Sequence, residues 1–82
     1  MGNDNFFGFG GALDCLHAGY AVARTGWNGK SQFLKLQKPD AHSKMNLPYI
    51  YISTVNELLV PWTASQTDLL AMDWHVVSPR KE

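Results

Sequence analysis

The sequence predicts an α+β fold: a small, mostly antiparallel β-sheet with an N-terminal helix and a short helix before the last strand. Three observations carry this. Apolar residues recur at helical spacing near the start of the chain. Four segments of strand character then follow one another between residues 20 and 60. A helix-start pattern at Ser65 sets them apart from a last strand-like segment. Strands that cluster, with a helix intervening only late, suit an antiparallel sheet better than a doubly wound one.

The elements follow in order. Met1-Gly-Asn-Asp-Asn5 is polar and reads as a mobile start. Ala12, Leu13, Leu16 and His17 share one helical face, and Gly19 follows where a C-cap belongs, so a helix is expected over about 9–18. Gly8-Phe-Gly-Gly11 resembles a phosphate-binding loop only in composition. It lacks the dinucleotide spacing, a preceding strand and a P-loop lysine, so it reads as a flexible lead into the helix. Tyr20–Arg24 has β character, and Asn28-Gly29 is a strong hairpin signal, with Phe33–Gln37 as the return strand. Residues 38–48 carry two prolines and several turn formers, so they form a loop. Tyr49–Ser53 is a strand with two tyrosines on one face and two isoleucines on the other. Val55–Glu57 turns the chain, and Leu58–Val60 is a strand that Pro61 ends or confines to an edge. Ser65-Gln-Thr-Asp68 is a capping-box pattern opening a helix that ends near Met72, with Ala64, Leu69 and Leu70 expected to pack inward. Trp74–Val77 closes the sheet, and Ser78–Glu82 is a polar, mobile tail.

Composition narrows the function classes. Eighty-two residues suit one domain, 1–82, and 45% hydrophobic content argues against wholesale disorder. Seven basic residues balance seven acidic ones, so no global field draws the chain to DNA, RNA or an anionic membrane. No apolar run approaches the ~20 residues of a membrane span, and no signal peptide is expected. The lone Cys15 cannot form an internal disulfide, and no His/Cys cluster suggests zinc. A chain this short buries only ~60–65% of its unfolded surface. Without disulfides or zinc, oligomerisation is the remaining remedy, and the aromatic content favours it.

No catalytic set emerges. His17, His42 and His75 fall on a helix, a loop and a strand, with no metal-binding spacing. Cys15 lies among apolar neighbours and reads as a buried, inert thiol. Asp68 and Asp73 are close in sequence, but paired carboxylates act only when space brings them together. A binding site has more support. Trp27 sits at the expected hairpin end, either as a plate for a base or as packing on a neighbouring strand. Trp62 precedes a helix start whose N–H groups and Ser65, Gln66 and Thr67 side chains offer polar donors. Plain capping explains Ser65 and Asp68 equally well. Asp68 opposes a phosphate there, so a ribose hydroxyl or a base is its alternative ligand. Trp74, flanked by strand residues, is expected in the core.

These residues fall in blocks that resemble a known family. Phe9-Gly10, Ala12-Leu13, Gly19 and Val22-Ala-Arg-Thr-Gly-Trp-Asn-Gly-Lys30 resemble the start of the second Thoeris anti-defence protein family. Pro48-Tyr-Ile-Tyr-Ile52, Val60-Pro-Trp-Thr-Ala-Ser-Gln-Thr-Asp-Leu-Leu-Ala71 and Asp73-Trp-x-Val76 resemble its remaining blocks, so the match runs from about residue 6 to 77. Gly11 stands where the family often has an acidic residue, and the 38–48 loop is shorter than in many relatives. The resemblance implies a phage-encoded sponge acting in the cytoplasm of the infected bacterial host. Such a protein binds the cyclic ADP-ribose-type signal of the defence TIR enzyme, a glycocyclic ADP-ribose, without cleaving it. It implies no enzyme activity and no cofactor. It also implies a homo-oligomer, a tetramer, with pockets between subunits, and neither nucleic acid nor membrane as partner. The ligand-binding residues expected on this reading are Arg24, Trp27, Asn28, Phe33, Trp62, Ser65, Gln66 and Asp68. The alternative is an interaction module that docks on a host protein.

Overall fold

The computed structural model describes residues 6–27 and 31–77. The chain runs α1 (Phe9–His17), β1 (Val22–Arg24), β2 (Phe33–Gln37), β3 (Tyr49–Ser53), β4 (Leu59–Pro61), α2 (Gln66–Leu70) and β5 (Trp74–Val76). The strands form one sheet in the order β4-β3-β2-β1-β5, with every neighbour antiparallel. The expected α+β architecture is therefore present. The chain crosses from one edge of the sheet to the other through α2.

The register sorts the side chains. Val22 opposes both Leu34 and Val76, Arg24 opposes Trp74, and Ile50 and Ile52 oppose Leu36 and Leu34. Directly opposed residues share a face, so these residues point to the side that α1 covers. Ala12 and Leu16 of α1, one turn apart, meet Val22, Leu34 and Trp74 there in a fully buried cluster. Phe33, Lys35 and Gln37 share the other face with Ser53, Tyr51 and Tyr49, the alternation expected for β3.

Local chemistry sets the element ends. Gly19, at φ +99°, is where α1 stops. Its N–H donates to the Leu16 carbonyl at 3.0 Å and the Tyr20 N–H to the Cys15 carbonyl at 2.9 Å, a Schellman cap that suits glycine. The Lys38 ammonium adds a bond to the His17 carbonyl at the same end. Gly11 sits inside the helix because the Phe7 ring lies against it, where a Cβ would meet ring atoms at 3.0 Å. Phe7 in turn exchanges backbone bonds with Trp74 at 2.9 and 3.1 Å, so the chain start flanks β5. Val55–Glu57 lies in the expected turn, where the Thr54 N–H reaches the Leu58 carbonyl at 2.9 Å. Pro61 lies on edge strand β4, as its missing N–H requires.

Several expectations change. Strand β1 starts at Val22, two residues later than the expected Tyr20, and ends at Arg24 as expected, with β2 as its antiparallel neighbour. Residues 25 and 26 bend away toward β5, where the Thr25 N–H donates to the Asp73 carbonyl at 3.1 Å. Asn28-Gly29 itself, like the ends 1–5 and 78–82 expected to be mobile, lies outside the described residues. Helix α2 stops at Leu70, two residues short of Met72, because Ala71 is already extended toward β5. Leu69 and Leu70 do not pack inward; both are exposed, Leu70 at 78%. The inward-facing position of this short helix goes to Asp68, and Ala71 just after it is likewise half-buried. Cys15 is half-buried against the core and not sealed within it.

Candidate functional site

Arg24 is the residue around which the site forms. Alternation puts it on the same face as Val22 and Trp74, so a charged side chain points to the side of the core. A guanidinium in that position needs counter-charges. Its Nε donates to Asp73 Oδ1 at 2.8 Å and its Nη1 to Asp68 Oδ1 at 2.9 Å. One cation thus sits between two carboxylates that are five positions apart in sequence, and the group carries a net charge of −1. All three side chains are largely shielded from solvent, Asp73 least.

Asp68 is the busiest acceptor. Its Oδ1 also takes the Trp27 indole N–H at 3.3 Å, and its Oδ2 takes the Ser65 backbone N–H at 3.1 Å. Its backbone N–H donates to Ser65 Oγ at 3.0 Å, which completes the capping box foreseen in the sequence. Its carbonyl accepts the Trp74 indole N–H at 3.0 Å. Partial burial pushes the Asp68 carboxyl upward, but the bonds from Ser65, Arg24 and Trp27 outweigh it and hold its pKa below the ordinary value. The Arg24 bond likewise holds Asp73 low against partial burial. The bonds to Asp73 and then Asp68 hold Arg24 high. Asp73 also grips the bend after β1, its Oδ2 taking the Gly26 N–H at 2.8 Å.

An aromatic cluster backs this charged group. Trp74 is fully buried, as the sequence reading had it. Trp27 meets it edge-on at 5.5 Å, Trp62 edge-on at 6.0 Å, and Phe9 at 5.3 Å. Phe9 and Trp62 also lie 5.9 Å apart. Trp27 and Trp62 remain half-buried, so each packs on one side and meets solvent on another.

Of the residues proposed from sequence, Arg24, Trp27, Ser65 and Asp68 come together in one hydrogen-bonded group. Trp62 joins it through Trp74. Gln66, the first residue of α2, is exposed beside Ser65. Phe33 projects from the opposite face of the sheet. Asn28 lies outside the described residues. Asp73 and Gly26 were not proposed, yet they complete the group. The signal for an acidic partner was present in the alternation Val22-Ala-Arg24, which places an arginine on the buried face.

Two surface depressions lie elsewhere. One of about 170 Å³ sits beneath the 38–48 loop beside Tyr49, and one of about 130 Å³ lies by Tyr51 and Leu59. Among the described residues, no three His, Cys, Asp or Glu gather where they could hold a metal ion. None of the helices there is long and apolar enough to cross a membrane.

Residues 7–77 match the Thoeris anti-defense 2-like domain, a span from the Phe7 bridge to the end of the described chain, and the protein belongs to that family. Thoeris anti-defense 2 of Bacillus phage SP01 is 41% identical, over an alignment covering 85% of this chain and 93% of the relative.

Proposed function

We propose that this protein is a phage anti-defence sponge. It counters Thoeris immunity in the infected bacterial cell by binding a cyclic ADP-ribose-type signalling nucleotide and withholding it, uncleaved, from the effector. Family membership supports the anti-Thoeris role. The observation that carries the binding mechanism is the pair of half-buried tryptophans, Trp27 and Trp62, held against a fully buried Trp74. A tryptophan fixed on one side and open on the other is a stacking plate for a base. Asp68, with its carboxylate beside Trp27, suits a ribose hydroxyl or a base amino group and opposes a phosphate.

One feature supports a homo-oligomer, a tetramer on the family resemblance, with pockets completed between subunits. Leu58, Leu59, Leu70 and Met72 are each more than 60% exposed, an apolar surface that a second chain would cover.

The test is a recovery experiment. The protein is incubated with lysate from cells in which the Thoeris TIR enzyme is active, washed, and denatured by heat. The reading expects loss of effector activation by the treated lysate and its return with the heated eluate. A depleted lysate with an inactive eluate means that the nucleotide was destroyed, which makes the protein an enzyme. An untouched lysate removes the sponge reading and leaves the host-protein docking module in its place.

A further inference from the structure

Trp27 is the plate whose position is least determined by its own element. It lies beyond the end of β1, in the bend after Arg24, where its N–H donates to the Arg24 carbonyl at a long 3.3 Å. What fixes this bend comes from a distant part of the chain. Asp73, immediately ahead of β5, takes the Thr25 N–H on its carbonyl at 3.1 Å and the Gly26 N–H on Oδ2 at 2.8 Å. Its Oδ1 takes Arg24 Nε at 2.8 Å. Arg24 then reaches Asp68 Oδ1, the same oxygen that receives the Trp27 indole N–H.

We propose that Asp73 is a positioning residue for Trp27, gripping the 25–27 bend directly and the indole through the relay Asp73–Arg24–Asp68. The inference rests on the nucleotide-binding reading only for its functional consequence. Two further observations support it. Gly26 is tight against the grip: a Cβ there would lie 3.0 Å from Asp73 Oδ2 and 3.2 Å from Arg24 Nη2. Trp74 gives a reference ring in the same cluster, because its indole N–H bonds to the Asp68 backbone carbonyl at 3.0 Å, not to a carboxylate of the relay, and its ring is fully buried. Asp73 thereby joins the start of β5 to a side chain 46 positions earlier and holds the tryptophan plate beside the Ser65–Asp68 helix start.

The test begins with the free protein. Hydrogen exchange of the indole N–H groups is followed in Asp73→Ala, in Asp73→Asn, which keeps the volume should the alanine variant not fold, and in Gly26→Ala. Trp27 indole exchange should accelerate roughly tenfold, the scale of one lost charge-supported hydrogen bond, while the Trp74 indole stays near its wild-type rate. Unchanged Trp27 exchange, or Trp27 and Trp74 accelerating together, overturns the positioning role. The second measurement is affinity for purified glycocyclic ADP-ribose. Asp73→Asn should weaken binding, and should weaken it no further in a Trp27→Ala background, because its effect passes through that ring. Additive losses would show that Asp73 acts on the ligand by another route and overturn the proposal. A wild-type protein that does not bind the probe overturns the sponge reading alone, since the exchange data still decide what Asp73 does.

Discussion

The two ends of the sheet solve opposite problems. At the β1–β5 end, Trp74 is fully buried, Phe7 flanks the outer strand, and two carboxylates close on Arg24. At the β3–β4 end, the edge strand Leu59–Pro61 is exposed along its length, Leu59 at 65%, with Tyr49 and Tyr51 half-covered beside it. The first end pairs Arg24 with two carboxylates and buries Trp74 from within the chain, although Leu70 and Met72 beside it stay exposed. The second leaves apolar surface uncovered. A chain of this size has one helix of any length to lay on its sheet, and that helix reaches only one face. The contrast assigns the precise geometry to one end and leaves the other suited to a second subunit.

The largest effect is expected at Trp74. Trp74→Ala removes the side chain on which Trp27, Trp62 and Phe9 all pack. A cost of about 3–5 kcal/mol is expected for such a truncation, enough to unfold a small domain, as urea or thermal melting will show. A variant that melts near wild type would mean that the closed end is not the stability centre.

Arg24→Ala comes next. It leaves two shielded carboxylates facing one another, so a loss of roughly 1–3 kcal/mol is expected. Arg24→Lys should recover only part of it, because one ammonium cannot present the two-pronged fork. Chemical denaturation of the three proteins measures this.

The same group predicts a pH dependence. Asp68 and Asp73 both titrate lower in the folded chain than in the unfolded one, where Asp lies near ~3.9. Protons therefore bind the unfolded chain first as pH falls. The stability from these carboxylates is fully present above about pH 5 and is lost as pH drops through their depressed folded values. Melting between neutral and acid pH should show this fall, and Asp73→Asn should flatten it.

Binding effects sharpen the contrast further. Trp27→Ala should cost about 1–3 kcal/mol of nucleotide affinity, the range of base stacking, while leaving the melt closer to wild type than Trp74→Ala does. Gln66→Ala should leave the melt unchanged, since Gln66 is not the cap residue, and weaken binding in calorimetry. Unchanged binding in both Gln66→Ala and Asp68→Asn would reduce the helix start to a cap. The smallest expected effect on the fold of one chain is Leu59→Lys at the open end, within about 0.5 kcal/mol. Its effect on assembly should be large, with light scattering reporting a lighter species. A wild-type chain that scatters as a 9.2 kDa monomer would remove the need for a partner at this end.

Much of this architecture was legible because its signals are local. The 3.6-residue recurrence of Ala12 and Leu16, the alternation of Tyr49–Ser53, Gly19 after a helix and the Ser65–Asp68 box each lie within a few residues of chain. They report preferences that the folded protein kept. Reading failed where distant groups compete. Leu69 and Leu70 look like the inward face of α2 by composition, but Arg24 draws Asp68 into that place. Nor does any local pattern show that Asp73 takes the N–H groups of Thr25 and Gly26 and so fixes the bend after β1.

By itself, then, the sequence determined the fold class, the order of the elements, the faces of the strands, the core role of Trp74 and the family. Only the tertiary structure decided that Asp68 and Asp73 share one guanidinium and that Trp27 hangs from a carboxylate 41 positions away. The physical reason is range. Periodicity and capping are written in neighbouring residues, whereas an ion group is formed by whichever segments the sheet order places side by side. That order, with β5 beside β1, is set by burial of the whole core and by no single stretch of chain.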